Sequence, residues 1–151
     1  MLQYGPSAAG GGPSWTVASW YLVGNETYHT SLASVSVGDS LNGEITLTGT
    51  TDGGYNYSCS FSNVNGTSLT AKDAEQLVWA TETLESYNVT SFDDYPIGST
   101  IFYSVNINLS DGSIPSVAWT PVSDSDDGLI TTVNVDGASG GKITIKYPTS
   151  S

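Results

Sequence analysis

Residues 55–61 read YNYSCSF and decide the fold class, because large apolar side chains alternate there with small polar ones. Tyr55, Tyr57, Cys59 and Phe61 share one parity, and the residues between them are Asn and Ser. A period of two puts the two sets on opposite faces of an extended chain, so the segment predicts a β-strand with one apolar face. Cys59, the only cysteine, is expected to be a small buried residue of that face.

Similar short segments recur along the chain, separated by turn-forming pairs such as Asn65-Gly66 and Asp111-Gly112. In the first of these segments, Ser14–Val23, apolar residues occupy both parities, which indicates an interior strand. Many short strands with such turns predict an all-β sandwich or barrel, in a single domain over residues 1–151. The further predicted strands are Ser14–Val23, Leu41–Gly49, Thr100–Leu109, Leu129–Val135 and Lys142–Tyr147.

One segment, Asp73–Ser86, fits both helical spacing and a strand. We interpret it as a strand, because it is rich in β-branched and aromatic residues and its neighbours are strands. On a strand, Glu82 would project from an apolar face with no cation in the local sequence. Burial would then raise its pKa, which suits a general base at acidic pH; the alternative is a Glu at a strand end that reaches water.

The charge balance excludes two classes of protein. Three Lys+Arg against fifteen Asp+Glu give a net charge of -12 at pH 7. Binding nucleic acid or an anionic membrane surface needs clustered basic side chains, so we expect neither partner. The sequence also lacks a run of about 18 apolar residues, so no membrane span is predicted.

Metal and nucleophile chemistry find little support in the composition. One cysteine excludes an intrachain disulfide, and the only histidine, His29, is expected at the surface rather than as a general base. One His and one Cys do not supply a zinc site, and we predict no metal and no cofactor. The loop Asp124–Gly128 fits either calcium binding or a solvated turn, and the turn is favoured because the bidentate Glu of an EF-hand is missing.

The sequence favours a secreted acidic glycoprotein whose leader is absent from these residues. Residues 1–13 show neither a basic start nor an apolar stretch, so no secretion signal is visible. The absence of arginine also favours secretion. Asn-x-Ser/Thr triplets, the acceptors for N-linked glycan, begin at Asn25, Asn56, Asn65, Asn88 and Asn108.

Several segments, in order, resemble one family. Residues 79–85, WATETLE, and 91–96, SFDDYP, resemble the aromatic-x-x-Glu-x-Phe/Leu-Glu segment and the downstream Phe-x-x-Phe stretch of the fungal glutamic peptidases, the eqolisins. Residues 19–21, SWY, and 35–40, VSVGDS, are similar to the family's Trp-Tyr strand and Gly-Asp turn. Residues 1–5, MLQYG, are similar to the segment that carries the family's catalytic glutamine.

The resemblance implies a concanavalin-A-like sandwich of two antiparallel sheets and an acid endopeptidase. It implies that Glu82 is the general base, which takes a proton from the attacking water and later protonates the leaving amine. It implies that Gln3 binds that water and stabilises the oxyanion, and that Trp20, Tyr21 and Trp79 bind substrate. Family members carry strands before the glutamine, so the chain is expected to be shortened at its N-terminus.

A rival interpretation is a non-catalytic secreted β-sandwich. With 9 Tyr and 4 Trp, an exposed sheet face would bind a glycan in the manner of a lectin, or a protein partner. The expected partners are therefore a peptide or protein substrate, or a glycan.

Overall fold

The computed structural model describes residues 1–84 and 89–149, and within them no helix has the length and apolar character needed to cross a membrane. A 3₁₀ helix covers Phe92–Asp94, and all strand pairing is antiparallel. The predicted all-β class is confirmed, whereas the finer concanavalin-A-like arrangement stays a prediction. The strands are β1 (Leu2–Tyr4), β2 (Trp15–Val17), β3 (Trp20–Val23), β4 (Glu26–His29), β5 (Ala33–Ser34), β6 (Gly43–Thr51), β7 (Gly54–Phe61), β8 (Leu69–Ala74), β9 (Ser99–Val105), β10 (Ile130–Val135) and β11 (Gly141–Lys146).

The chain divides into two compact units, Met1–Val78 and Trp79–Ser151. In the first unit the strand orders are β1-β2-β5, the hairpin β3-β4, and β6-β7-β8. The second unit contains the sheet β10-β11-β9. The single domain expected over residues 1–151 stays a prediction.

The strand predicted from YNYSCSF is confirmed as β7, the centre of its sheet. Cys59 pairs with Ile45 of β6 and with Leu69 of β8, and Tyr57 pairs with Leu47 and Ala71. Every residue of β7 is half-buried, as expected for a central strand with neighbours on both edges.

The core of the second unit lies on one face of β11. Ile143 and Ile145, and Tyr147 directly after the strand, are buried, whereas Lys142 and Lys146 are exposed. This alternation is the period of two that the sequence predicted, and β10 and β11 agree with the predicted strands to within one residue. Truncating either buried isoleucine to alanine would cost about 2–5 kcal/mol.

The predicted interior strand Ser14–Val23 is wrong as one element. It is two strands, β2 and β3, because β2 pairs with β1 and β5 whereas β3 pairs with β4, and the chain changes partners at Ala18 and Ser19. Those two residues are fully buried, but Leu22 is 66% exposed. Apolar side chains on both faces therefore did not indicate an interior position along the whole length.

The strand predicted over Asp73–Ser86 is also wrong. β8 ends at Ala74, residues 75–84 are irregular, and residues 85 and 86 lie outside the described ranges. Asp73 adopts a φ of 51° and forms a bulge in β8: its backbone N–H donates to Oδ1 of Asn56, and the pairing with β7 resumes at Ala74, opposite Tyr55. Glu82 is therefore on an irregular segment, and the argument from its parity on a strand does not hold.

Other differences come from short or interrupted strands. β1, β4, β5 and β8 have no counterpart among the predicted strands. β6 begins and ends two residues later than the predicted Leu41–Gly49, and β9 ends at Val105 instead of Leu109. At the end of β9, Ser104 has a φ of 54°, and Ile107 donates its N–H to Ala138.

Candidate functional site

Gln3 occupies the middle of β1, opposite Thr16 of β2. The strand places its side chain inward, where only 9% of the residue remains exposed. The flanking residues Leu2 and Tyr4 point outward and are exposed. The alternation of the strand thus buries the amide that the sequence resemblance marks as catalytic.

The Gln3 amide is held at both ends by the loop that follows it. Nε2 donates to the carbonyl oxygens of Gly5, at 3.1 Å, and Gly10, at 3.3 Å. Oε1 accepts a hydrogen bond of 3.0 Å from the Ser7 hydroxyl. Both amide hydrogens are therefore engaged, so an oxyanion would have to replace one carbonyl, and the longer bond to Gly10 is the weaker one.

Gly11 leaves the room that this amide occupies. A Cβ at position 11 would lie 3.1 Å from Nε2 of Gln3 and 2.7 Å from the carbonyl oxygen of Gly5. The residue also has a φ of 109°, which side-chain-bearing residues rarely adopt. Gly5, Gly10 and Gly11 thus enclose the Gln3 side chain, and the sequence did not indicate this role.

Glu82 lies near the start of the second unit, on the irregular segment that follows β8. Its side chain is half-buried. Burial removes solvent from the Glu82 carboxyl, and this raises its pKa above the usual value. A carboxyl with a raised pKa takes up a proton more readily than an ordinary glutamate, which is the property that a general base in mildly acidic solution needs.

Trp20 and Tyr21 line a mainly apolar cavity of about 130 Å³ in the first unit. β7 and β8 supply its floor through Tyr57, Cys59 and other side chains. The Trp20 Nε1 is buried and has no hydrogen-bond partner among the described residues. A volume this small accommodates a single apolar side chain rather than a large ligand.

Trp79, the third predicted substrate-binding residue, is 76% exposed and does not line this cavity. Gln3, Trp20 and Tyr21 belong to the first unit, whereas Trp79 and Glu82 begin the second.

His29, Cys59 and the loop Asp124–Gly128 are the other residues that the sequence raised for chemistry. His29 is exposed, as predicted, and Cys59 is half-buried in the cavity wall. The Asp124 carboxylate accepts the backbone N–H groups of Asp126 and Asp127, each at 3.1 Å, so it organises its own turn. In the part of the chain that the structure describes, no three His, Cys, Asp or Glu side chains are grouped to hold a metal ion.

Comparison with known proteins adds no relative: no family model, no curated protein and no solved structure matches this chain. The function is therefore argued from the residues and their geometry.

Proposed function

We propose that the chain is a secreted hydrolase of the glutamic type that cleaves peptide bonds in acidic solution. The observation that carries the proposal is the half-buried Glu82 carboxyl, whose pKa is raised by loss of solvent. Glu82 would take a proton from the attacking water and return it to the leaving amine. One carboxyl serves both steps, because it holds the proton between them.

Gln3 would provide the electrostatic part of the reaction. An amide N–H that points at the developing oxyanion stabilises the tetrahedral intermediate without a second charge. Hydrogen bonds to a charged oxygen are stronger than those to a neutral carbonyl. The oxyanion would therefore displace the Gly10 carbonyl, which is 3.3 Å from Nε2.

The test compares wild type with Glu82→Gln on a denatured protein between pH 3 and pH 6. The matched control is Glu75→Gln, since Glu75 is an exposed carboxylate seven residues away. We expect cleavage by wild type and by the control, and a loss of about 10²-fold or more for Glu82→Gln. Equal cleavage by both variants would remove Glu82 from the reaction.

A stability measurement would establish whether the Glu82→Gln variant is folded. The raised pKa means that folding disfavours the charged carboxylate, so wild type loses stability as pH rises from the unfolded pKa, about 4.3, through the folded one. Glutamine is neutral at every pH. We therefore expect Glu82→Gln to be at least as stable as wild type at pH 7.

A second candidate is a binding module without catalysis. The cavity lined by Trp20 and Tyr21 favours it, because a concave apolar site suits an apolar side chain of a bound peptide. A glycan is less suited to this cavity, since sugar hydroxyls need polar partners. Binding of a peptide that neither wild type nor Glu82→Gln cleaves would favour this candidate.

A further inference from the structure

The structure separates the Asn-x-Ser/Thr triplets by what surrounds each asparagine. Asn56 is half-buried on β7, and its Oδ1 accepts the backbone N–H of Asp73 at 3.0 Å. A glycan on Nδ2 of Asn56 would have to be accommodated on the half-buried central strand of a sheet, beside that contact. Asn25, Asn65 and Asn108 are exposed, and Asn88 lies outside the described residues.

Asn65, unlike Asn25 and Asn108, lines a hollow of about 420 Å³. Polar side chains of Ser34, Asp39 and Asn63 face this hollow. The lining is mainly polar, and Val35, Leu41 and Val64 are the apolar residues that add a small apolar part. A pyranose ring has hydroxyls at its edge and C–H groups on its faces, so it needs both kinds of surface.

The two walls of the hollow are joined by hydrogen bonds. Asn63 donates from Nδ2 to the carbonyl oxygen of Ser40, at 2.7 Å, and accepts at Oδ1 from the Asn42 N–H, at 2.9 Å. These bonds connect the segment before β6 to the turn after β7. The hollow is therefore preformed, and a ligand would not have to order it.

The turn that carries Asn65 is fixed from inside by Thr67. This residue is 1% exposed, and its hydroxyl donates to the carbonyl oxygens of Phe61 and Val64, at 3.1 and 2.7 Å. The same oxygen accepts the Phe61 N–H at 3.0 Å. Asn65, in contrast, is exposed, and within residues 1–84 and 89–149 its side chain has no hydrogen bond.

We propose that Asn65 is an N-glycosylation site whose first N-acetylglucosamine lies in this hollow. The sugar is covalently tethered, so its effective concentration at the hollow is high even though the site is small. A group that binds the folded chain and not the unfolded one stabilises the fold. The glycan on Asn65 therefore stabilises the first unit, whereas glycans on Asn25 or Asn108 only cover surface.

The test uses the full chain, secreted from a eukaryotic host behind a cleavable leader. Peptide mass spectrometry identifies the occupied asparagines, and Asn65→Gln is compared with the matched variant Asn108→Gln. We expect occupancy at Asn65, and a melting temperature about 2 °C or more lower for Asn65→Gln. Asn108→Gln should have the same melting temperature as wild type.

Two controls separate the effect of the glycan on stability from the effect of the substitution itself. Wild type and Asn65→Gln from a bacterial host carry no glycan, and any difference between them is subtracted. Trimming the secreted protein to one N-acetylglucosamine per site should keep the stabilisation, because the first sugar alone fills the hollow. An unmodified Asn65, or a corrected loss no greater than that of Asn108→Gln, would overturn the proposal.

Discussion

The Ser7 hydroxyl donates a hydrogen bond of 3.0 Å to Oε1 of Gln3, four residues before it in the chain. This bond fixes which end of the Gln3 amide is the donor, because the oxygen is held at Ser7 and Nε2 is turned toward Gly5 and Gly10. Ser7 is thus a positioning residue for the proposed oxyanion donor.

Replacing Ser7 with alanine should lower kcat and leave KM unchanged. One neutral hydrogen bond is worth about 0.5–1.5 kcal/mol, so the expected loss in kcat is about 2–10-fold. Ser7→Thr keeps the hydroxyl and should retain most of the wild-type kcat. A change in KM with constant kcat would assign Ser7 to substrate binding instead.

Gly11→Ala should destabilise the loop that encloses Gln3, because the new methyl would lie 2.7 Å from the Gly5 carbonyl oxygen at a φ of 109°. Strain of this kind costs about 1–3 kcal/mol. Gly12→Ala is the matched control, since a Cβ there meets nothing within 4 Å. Urea unfolding should show the loss for Gly11→Ala only, and equal midpoints would contradict the described loop.

Thr67→Val should destabilise the turn between β7 and β8. The substitution keeps the shape of the side chain but leaves the Phe61 N–H without the acceptor it has at 3.0 Å. An unsatisfied buried donor costs about 1–3 kcal/mol. Thr67→Ser keeps the hydroxyl and should lower the free energy of unfolding by less. Denaturation of both variants, produced in bacteria, would measure the difference.

Asp136→Asn should weaken the protein at neutral pH and not at low pH. Backbone N–H groups of Trp119, at 2.8 Å, and Gly137, at 2.7 Å, bind one carboxylate oxygen and hold the pKa of Asp136 below its usual value. A lowered pKa contributes stability above the unfolded pKa of about 3.9, and this is lost as pH falls through the folded value. The melting temperatures of wild type and variant should differ at pH 6 and approach each other as the pH falls below about 3.9, and a constant difference would contradict this role.

The fold was predictable where the signal was local. The alternation in residues 55–61 predicted β7 from its own side chains, and the same pattern located β10 and β11. The strand predicted over residues 75–84 was wrong because β-propensity supplies no partner strand, and the pairing of β8 with β7 ends at Ala74.

The assignment of Gln3 and Glu82 to a site stays a prediction, and the sequence did not indicate what surrounds them. A segment motif led to Gln3 and Glu82, but the hydrogen bonds that hold the Gln3 amide come from a loop whose path depends on Gly11. The exposure of Trp79 depends on the irregular path after Ala74, which no period in the sequence indicated.

The most direct test of the proposed reaction is the pH profile of kcat/KM for a short peptide, measured for wild type and Glu82→Gln from pH 3 to pH 7. A general base acts as the carboxylate, so kcat/KM of wild type should rise with pH, with a midpoint above about 4.3, because burial raises the pKa of Glu82. Glu82→Gln should be lower by about 10²-fold or more and show no such rise. A profile that Glu82→Gln leaves unchanged would contradict the account.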